Sequence, residues 1–380
     1  MINSKYSALG VIFPNIYDSL VPELTNVRLM ASIPFAARYR MIDFVLSSMA
    51  NSGIDDISVL VNRNYQSLID HLGSGREWDL VRKQGGLHLF PPYATGSENF
   101  YEGRVGLLSG ILEYLRSKKE DYVIMSDTNI AYNFDFGKLV DAHVASGADV
   151  TCVYTEQELP AFVYKTATNR FGCYYTFKVE DGRITKIYVN PRETGIQNLS
   201  MQVYIISREL LIKEISEAHV MGHDYFERDI LLPKLANLNV QGYKYDGYYA
   251  RITDMKSYFD ENMKLLDDRN LDALFSGSPI YTKIRDDNPA RYIKGAAAEN
   301  CMVADGCVIE GEVENCVLFR GVHICKGAKV KNCILMQDTV VGAGADIEYV
   351  ITDKNVNITA GKDMKGTDTF PVYITKNSQV

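Results

Sequence analysis

Val313-Glu314-Asn315-Cys316-Val317-Leu318 and Val330-Lys331-Asn332-Cys333-Ile334-Leu335 are two copies of one short pattern, seventeen residues apart. Asn300-Cys301 stands fifteen residues before Asn315-Cys316, and Ile347-Glu348-Tyr349-Val350-Ile351 follows Val330 by another seventeen. Three short units per repeat, with Gly306, Gly327, Ala328, Gly342 and Gly344 near the turns, fit stacked coils of a hexapeptide β-helix. One coil cannot bury its aliphatic rungs alone, so stacking supplies the core. A meandering antiparallel domain is the competing reading, and the periodicity favours the parallel β-helix.

Working outward, the texture changes near Lys294: before it, short β-rich runs alternate with stretches of helical periodicity. Ala8 to Phe13, Ile57 to Val61, Tyr122 to Met125, Val150 to Tyr154 and Met201 to Ile206 read as strands. Ile42 to Asn51, Gln66 to Leu72, Val105 to Arg116, Phe136 to Ala145 and Met255 to Asp268 read as helices. The alternation predicts an α/β layer over a mostly parallel sheet. Asp181-Gly182 between two alternating runs from Tyr174 to Val189 predicts an added antiparallel hairpin, and so a mixed sheet. Gly53 ends the helix that feeds the second strand. The expected division is an α/β domain over 1–275, a linker over 276–294 containing Ser276-Gly277-Ser278-Pro279, and a β-helix over 295–380.

Composition narrows the function classes. The 380 residues carry 40 basic and 48 acidic side chains, a net charge of -8, so no global positive field favours nucleic acid. Seven cysteines, five of them between Cys301 and Cys333, lack paired C-x-x-C spacing and read as small buried hydrophobes in a reducing compartment. Of six histidines only His219 and His223 stand four apart, without an intervening glutamate, and Gly222 weakens a helix there; no metal site is expected. No apolar run matches a membrane span or a signal-peptide core, and a cytoplasmic protein without membrane contact is expected.

The run Ile33-Pro34-Phe35-Ala36-Ala37-Arg38-Tyr39-Arg40-Met41-Ile42-Asp43-Phe44-Val45-Leu46-Ser47 is followed by Asn51-Ser52-Gly53-Ile54 and Ser67-Leu68-Ile69-Asp70-His71-Leu72. With the domain order, these residues make the chain resemble the sugar-phosphate nucleotidyltransferases, most closely the ADP-glucose pyrophosphorylase (glucose-1-phosphate adenylyltransferase) family, over nearly its whole length. The resemblance implies a Rossmann-like, GT-A-type sheet domain followed by a left-handed β-helix. It also implies chemistry in which a sugar 1-phosphate attacks the α-phosphate of a nucleoside triphosphate and pyrophosphate leaves. Such catalysis rests on positioning two polyanions and neutralising charge with a glycine-rich loop, basic side chains and carboxylate-bound magnesium.

Against that pattern four elements depart. The loop after Phe13 reads Pro14-Asn15-Ile16-Tyr17-Asp18-Ser19-Leu20, without the glycine that would let a phosphate approach the backbone, and Asp18 adds like charge. The first metal-binding aspartate is matched by Asp127, after Ser126, but the second aligns with Arg251, a guanidinium that repels magnesium. Asp254, three residues later, is a weak substitute. The family's sugar-phosphate lysine is replaced at Val189-Asn190-Pro191, and its sugar motif by Gly103-Arg104-Val105-Gly106. Asp127, Asn190 and Arg251 are therefore expected to be degenerate remnants, with no cofactor bound by this chain.

The resemblance then implies a non-catalytic paralogue that joins an active ADP-glucose pyrophosphorylase subunit, which uses Mg2+ and ATP, in a hetero-oligomer of the family's tetrameric kind in glycogen biosynthesis. Arg28, Arg40 and His71 match positions the family uses for a phosphorylated-metabolite effector, and arginine forks suit phosphate. The competing assignment pairs Arg40 with Asp43 and leaves Arg28 solvated. Alternatives for the whole chain are an independently active nucleotidyltransferase with rebuilt sites and a scaffold subunit of another regulatory assembly. Trp78, followed by Gly85-Gly86 and Tyr93-Ala94-Thr95-Gly96, reads as an aromatic anchor of a loop or as part of a flap. Tyr243, Tyr245, Tyr248 and Tyr249 read as filling a former substrate cavity or packing the sheet edge.

Overall fold

Apolar runs of four to six residues are too short for buried helices and build the central sheet of the first domain. The computed structural model describes residues 7–91, 103–159, 174–191 and 194–380. Its large sheet runs Gly86–Phe90, Asp56–Leu60, Ala8–Phe13, Tyr122–Asp127, Ile196–Ser207, Val150–Glu158, Val240–Lys244, Arg183–Val189, Tyr175–Glu180. The first four of these strands are mutually parallel. Ile196–Ser207 then pairs antiparallel on both sides, and the expected hairpin about Asp181-Gly182 closes the far edge. The sheet is mixed, as the sequence predicts.

Helix Met41–Asn51 packs beneath it and ends where Gly53 takes φ 76. The Ile54 N–H reaches the Met49 carbonyl at 3.1 Å and the Gly53 N–H the Ala50 carbonyl at 3.0 Å, the paired bonds of a glycine-terminated helix. Two expected helices are divided. Val105 to Arg116 splits into Arg104–Ser109 and Leu112–Ser117, because Gly110 weakens the helix interior between them. Met255 to Asp268 stops at Lys264, and a further helix, Asp268–Phe275, starts from the Asp267 cap, whose carboxylate accepts the Arg269 N–H. Strands Gly86–Phe90 and Val240–Lys244 and helix Arg208–Val220 are additional to the sequence reading.

Beyond the first domain the repeat arithmetic is realised as register. Cys301 faces Cys316, Val313 faces Val330, and Val330 faces Ile347, all in parallel pairs. Inside the coils Val313, Cys316, Leu318, Val330, Cys333, Leu335, Ile347 and Val350 form one buried cluster. Asn300, Asn315 and Asn332 turn the corners at φ 49, 50 and 51, a conformation asparagine tolerates better than other side chains. Arg291–Tyr292, within the stretch read as linker, already pairs with Val308–Ile309 as a rung.

The two domains share a core. Val317, Ile334 and Ile351, from successive coils, lie in the same apolar cluster as Phe35, Phe44, Tyr258 and Phe259. Beside this seam Arg28 reaches across to Asp353 of the β-helix, one guanidinium nitrogen lying 2.7 and 2.9 Å from the two carboxylate oxygens, with both side chains buried. Removing one member of a buried pair strands the other charge. Arg28→Met should therefore lose about 3–5 kcal/mol in equilibrium denaturation, and adding Asp353→Asn should recover part of it. Losses that simply add in the double variant would show that the two side chains do not interact.

Candidate functional site

Parallel strands Ala8–Phe13 and Tyr122–Asp127 run in register, Phe13 beside Asp127, so the loop after Phe13 and the Asp127 carboxylate share the carboxyl edge of the sheet. Open α/β sheets place ligands at this edge. The loop is tied to its own scaffold: the Ala31 N–H donates to the Pro14 carbonyl at 3.1 Å, and the Met30 N–H to the Asp18 carboxylate at 2.7 Å. Asp18 thus turns inward and is buried, as is Tyr17, whose ring lies 6.1 Å from that of Tyr174.

At the strand end, Arg104 holds Asp127 in a close ion pair and bonds Glu227 at 2.7 Å. Gly103 starts the short helix carrying Arg104, and a Cβ there would lie 2.0 Å from the Asp224 carbonyl, so only glycine lets the helix start against that loop. Glu227, on the turn Phe226–Leu231, also accepts the Tyr204 hydroxyl. All four side chains are buried. Burial opposes the charge on Arg104, but Asp127 and Glu227 outweigh it and keep the guanidinium protonated. Burial pushes the Asp127 carboxyl up to about 7 against the pull of Arg104, and the Glu227 charge adds to the rise.

Each remnant named from the sequence has local work in the fold. Arg251 is buried and donates to the Ser200 carbonyl at 3.0 Å and to Gln202 at 3.3 Å. Asp254 caps helix Met255–Lys264 by accepting the Ser257 N–H at 2.7 Å, so its carboxylate is engaged at the helix start. Asn190, at φ 48, accepts the Tyr174 N–H at 2.8 Å and closes the hairpin. Magnesium does not fit these residues: a guanidinium already neutralises Asp127, and Arg251 adds a second positive charge within electrostatic reach.

A second concavity of about 350 Å³ opens between the domains. Arg38 and Arg40 reach it from the hairpin Pro34–Phe35/Tyr39–Arg40, Lys283 and Arg285 from the connecting segment, and Arg320 and Lys354 from the β-helix. No carboxylate is among the described residues that line it. Arg40 donates to Ser67, 2.6 Å to its carbonyl and 3.0 Å to its hydroxyl; only its backbone N–H, not its guanidinium, meets Asp43. Burial pushes Arg40 down to about 10, which leaves it charged at neutral pH. His71 also lines the cleft, its Nε2 lying 2.5 Å from Asp43, and burial lowers its pKa. Arg28 stands outside this lining; it is neither solvated nor presented to the cleft, but locked to Asp353.

The sequence reading missed Arg38, Lys283, Arg285, Arg320 and Lys354. Their signals were present: Arg38-x-Arg40 and Lys283-x-Arg285 alternate as extended chain does, and Arg320, Gln337 and Lys354 are successively seventeen residues apart, one coil each. Arg104 left no such trace, since its partners Asp127 and Glu227 are distant in sequence. Trp78 is a buried anchor whose indole donates to Ser47 at 3.2 Å. The associated Tyr93-Ala94-Thr95-Gly96 lies outside the described residues. Tyr243 and Tyr245 pack against Phe134, with ring centroids 6.1 and 5.2 Å away, Tyr243 on an interior strand of the sheet.

The mixed α/β sheet domain and the parallel β-helix that follows it each match a known family. Residues 20–268 match the family described as Nucleotidyl transferase, and 286–369 that described as GlmU-like, C-terminal hexapeptide. The chain is 35% identical to the glycogen biosynthesis protein GlgD of Bacillus subtilis, covering 85% of this chain and 82% of that one. It is 34% identical to GlgD of Geobacillus stearothermophilus, over 85% and 82%, and 33% identical to the glucose-1-phosphate adenylyltransferase of the same species, over 86% and 84%. The chain belongs to the nucleotidyl transferase family, in the group that contains the GlgD proteins and the glucose-1-phosphate adenylyltransferases.

The inward-facing Asp18 makes a test of the remodelled loop. Burial pushes its carboxyl up to about 7 from 3.8, so the native state holds the proton more tightly than the unfolded chain. Stability contributed this way falls as pH rises between about 4 and 7. Asp18→Asn keeps an acceptor for Met30 and removes the titration. The variant should match wild type near pH 4 and exceed it at pH 8, by at most about 4 kcal/mol. A pH slope unchanged by the substitution would assign the titration to Asp127 instead.

Proposed function

We propose that this chain is a non-catalytic accessory subunit that pairs with an active glucose-1-phosphate adenylyltransferase subunit and adjusts its response to a phosphorylated metabolite. The observation that carries this reading is the Arg104 guanidinium seated on Asp127 and Glu227, with Arg251 nearby. A catalytic edge of this fold needs cation-binding carboxylates and an anion cradle; here the carboxylates are neutralised internally and the loop after Phe13 is tied down by Asp18. Each such electrostatic element is worth on the order of 3 kcal/mol to a phosphoryl-type transition state, so losing several leaves negligible turnover. Mg2+ and ATP are then used by the partner. The similarity to both GlgD and glucose-1-phosphate adenylyltransferase chains supports a hetero-oligomer, of the tetrameric kind by resemblance.

The interdomain cleft supplies the regulatory half of the reading. Six cationic side chains and no lining carboxylate among the described residues, in a chain of net charge -8, concentrate positive potential in one place. Arginine pairs there suit a phosphate group, and Tyr39 and Phe319 offer apolar surface beside it. Arg40, Arg38 and Arg320 are proposed as the principal phosphate contacts, with His71 positioned by Asp43. Arg28 acts by holding the β-helix in place.

Pyrophosphorylase assays of the chain alone, the catalytic partner alone and their mixture test this function. The chain alone should turn over at least about 1,000-fold more slowly than the partner. The mixture should co-elute as one species and respond differently to phosphorylated effectors, and Arg40→Ala in this chain should diminish that difference. Rapid turnover by the isolated chain would establish the independently active alternative. Co-elution with unchanged kinetics would leave only a scaffold.

A further inference from the structure

Lys354 stands where the cationic cleft meets the interdomain seam, one residue after the Asp353 that grips Arg28. Arg40 faces it from the hairpin and helix start, Arg28 from the loop before the hairpin, and Lys376 from the C-terminal segment. His71, from helix Gln66–Leu72, is close enough for the lysine to depress its pKa further, and Asp43, which holds that histidine, also supports the charge of Arg40. Arg320 joins from an earlier coil, with Arg38, Lys283 and Arg285 across the cleft. The carboxylate that favours the Lys354 charge most is Asp353, which already holds Arg28 through both oxygens.

This arrangement makes the ammonium costly. Burial, then Arg40 and Arg28, push Lys354 down to about 7. Arg40, at about 10, stays charged near neutrality, whereas a lysine releases its proton readily when partly buried among cations. An entering anion reverses the balance. One negative charge about 4 Å away in a partly buried site changes a protonation equilibrium by a factor on the order of 1,000.

We propose that the cleft binds a phosphate-ester dianion together with one proton taken up by Lys354, so that its occupancy weakens as pH rises above neutrality. This rests on the effector reading of the cleft given above. The ester is favoured over the free ion because the concavity, at about 350 Å³, extends past the cations to Tyr39 and Phe319. Below about pH 7 Lys354 is protonated with or without ligand, and affinity is flat. Above it the free protein has lost the proton that the complex keeps, and affinity falls by up to about tenfold per pH unit.

Sulfate is the suitable probe because its charge does not change over this range. Calorimetric titration of the full chain in two buffers of different ionisation heat, at pH 6 and pH 8, counts protons taken up per sulfate. Wild type should take up close to one at pH 8 and almost none at pH 6. Lys354→Arg, permanently charged, should bind sulfate with no uptake and with equal affinity at both pH values. Lys354→Met should show no uptake and weaker binding at pH 6, which keeps the test alive should the larger arginine disturb packing. Uptake that persists in Lys354→Met would place the proton elsewhere, at His71 first, and overturn the proposal, as would wild-type binding without uptake. Failure of sulfate to bind at either pH would overturn the effector reading itself. Displacement of sulfate by glucose 6-phosphate at lower concentration than inorganic phosphate supports the ester; the reverse order overturns that assignment.

Discussion

The apolar seam between the sheet domain and the β-helix is the constraint on which the other features depend. Val317, Ile334 and Ile351 present one aliphatic column, one residue per coil, and Phe35, Phe44, Tyr258 and Phe259 bury it. At roughly 25 cal/mol per Å² of apolar surface, such a contact dominates the local energetics, and it is not directional. Direction comes from the polar groups along its margin. Asn262 accepts the Ala36 N–H at 3.0 Å and Tyr258 donates to the Pro34 carbonyl at 2.8 Å, fixing a hairpin whose Ala36 and Ala37 sit at φ 50 and 61. Strained backbone of this kind persists only where its surroundings over-determine it. Here it aims Arg38 and Arg40 into the cleft.

The molecule uses buried arginine in two opposite ways. At the sheet edge, Arg104 is paired with both Asp127 and Glu227 and lies 5.6 Å from the centroids of the Phe13 and Tyr204 rings. In the interdomain cleft the cations outnumber their partners, and the surplus is what an anion can answer. Arg28 lies between these extremes: compensated by Asp353, it joins the domains while one of its guanidinium nitrogens, Nη1, has no hydrogen-bond partner among the described residues. The distinction between a closed site and a receptive one is thus a count of carboxylates rather than a difference in residue type.

Much of the fold was legible because periodicity is a local property. The seventeen-residue spacing of Val313, Val330 and Ile347 became cross-strand register without adjustment, and Asp181-Gly182 became the hairpin turn it spelled. The residue types at Asn190, Arg251 and the Pro14 to Leu20 loop were legible too, but not the contacts they make. Arg104 closes the sheet edge by meeting residues 23 and 123 positions away, and no local pattern encodes such a meeting. Arg28 and Arg40 look alike in sequence, yet one is spent on an ion pair and the other faces the cleft.

By itself the sequence determined the two architectures, because side-chain alternation and coil length are set by covalent neighbours. Only the tertiary structure decided where the positive charges go. Whether a guanidinium is neutralised, locked or left facing a ligand depends on which carboxylates the seam and the sheet edge bring within a few ångströms. That proximity is a property of packing between distant segments, with the energy of each charge set by the burial it meets there.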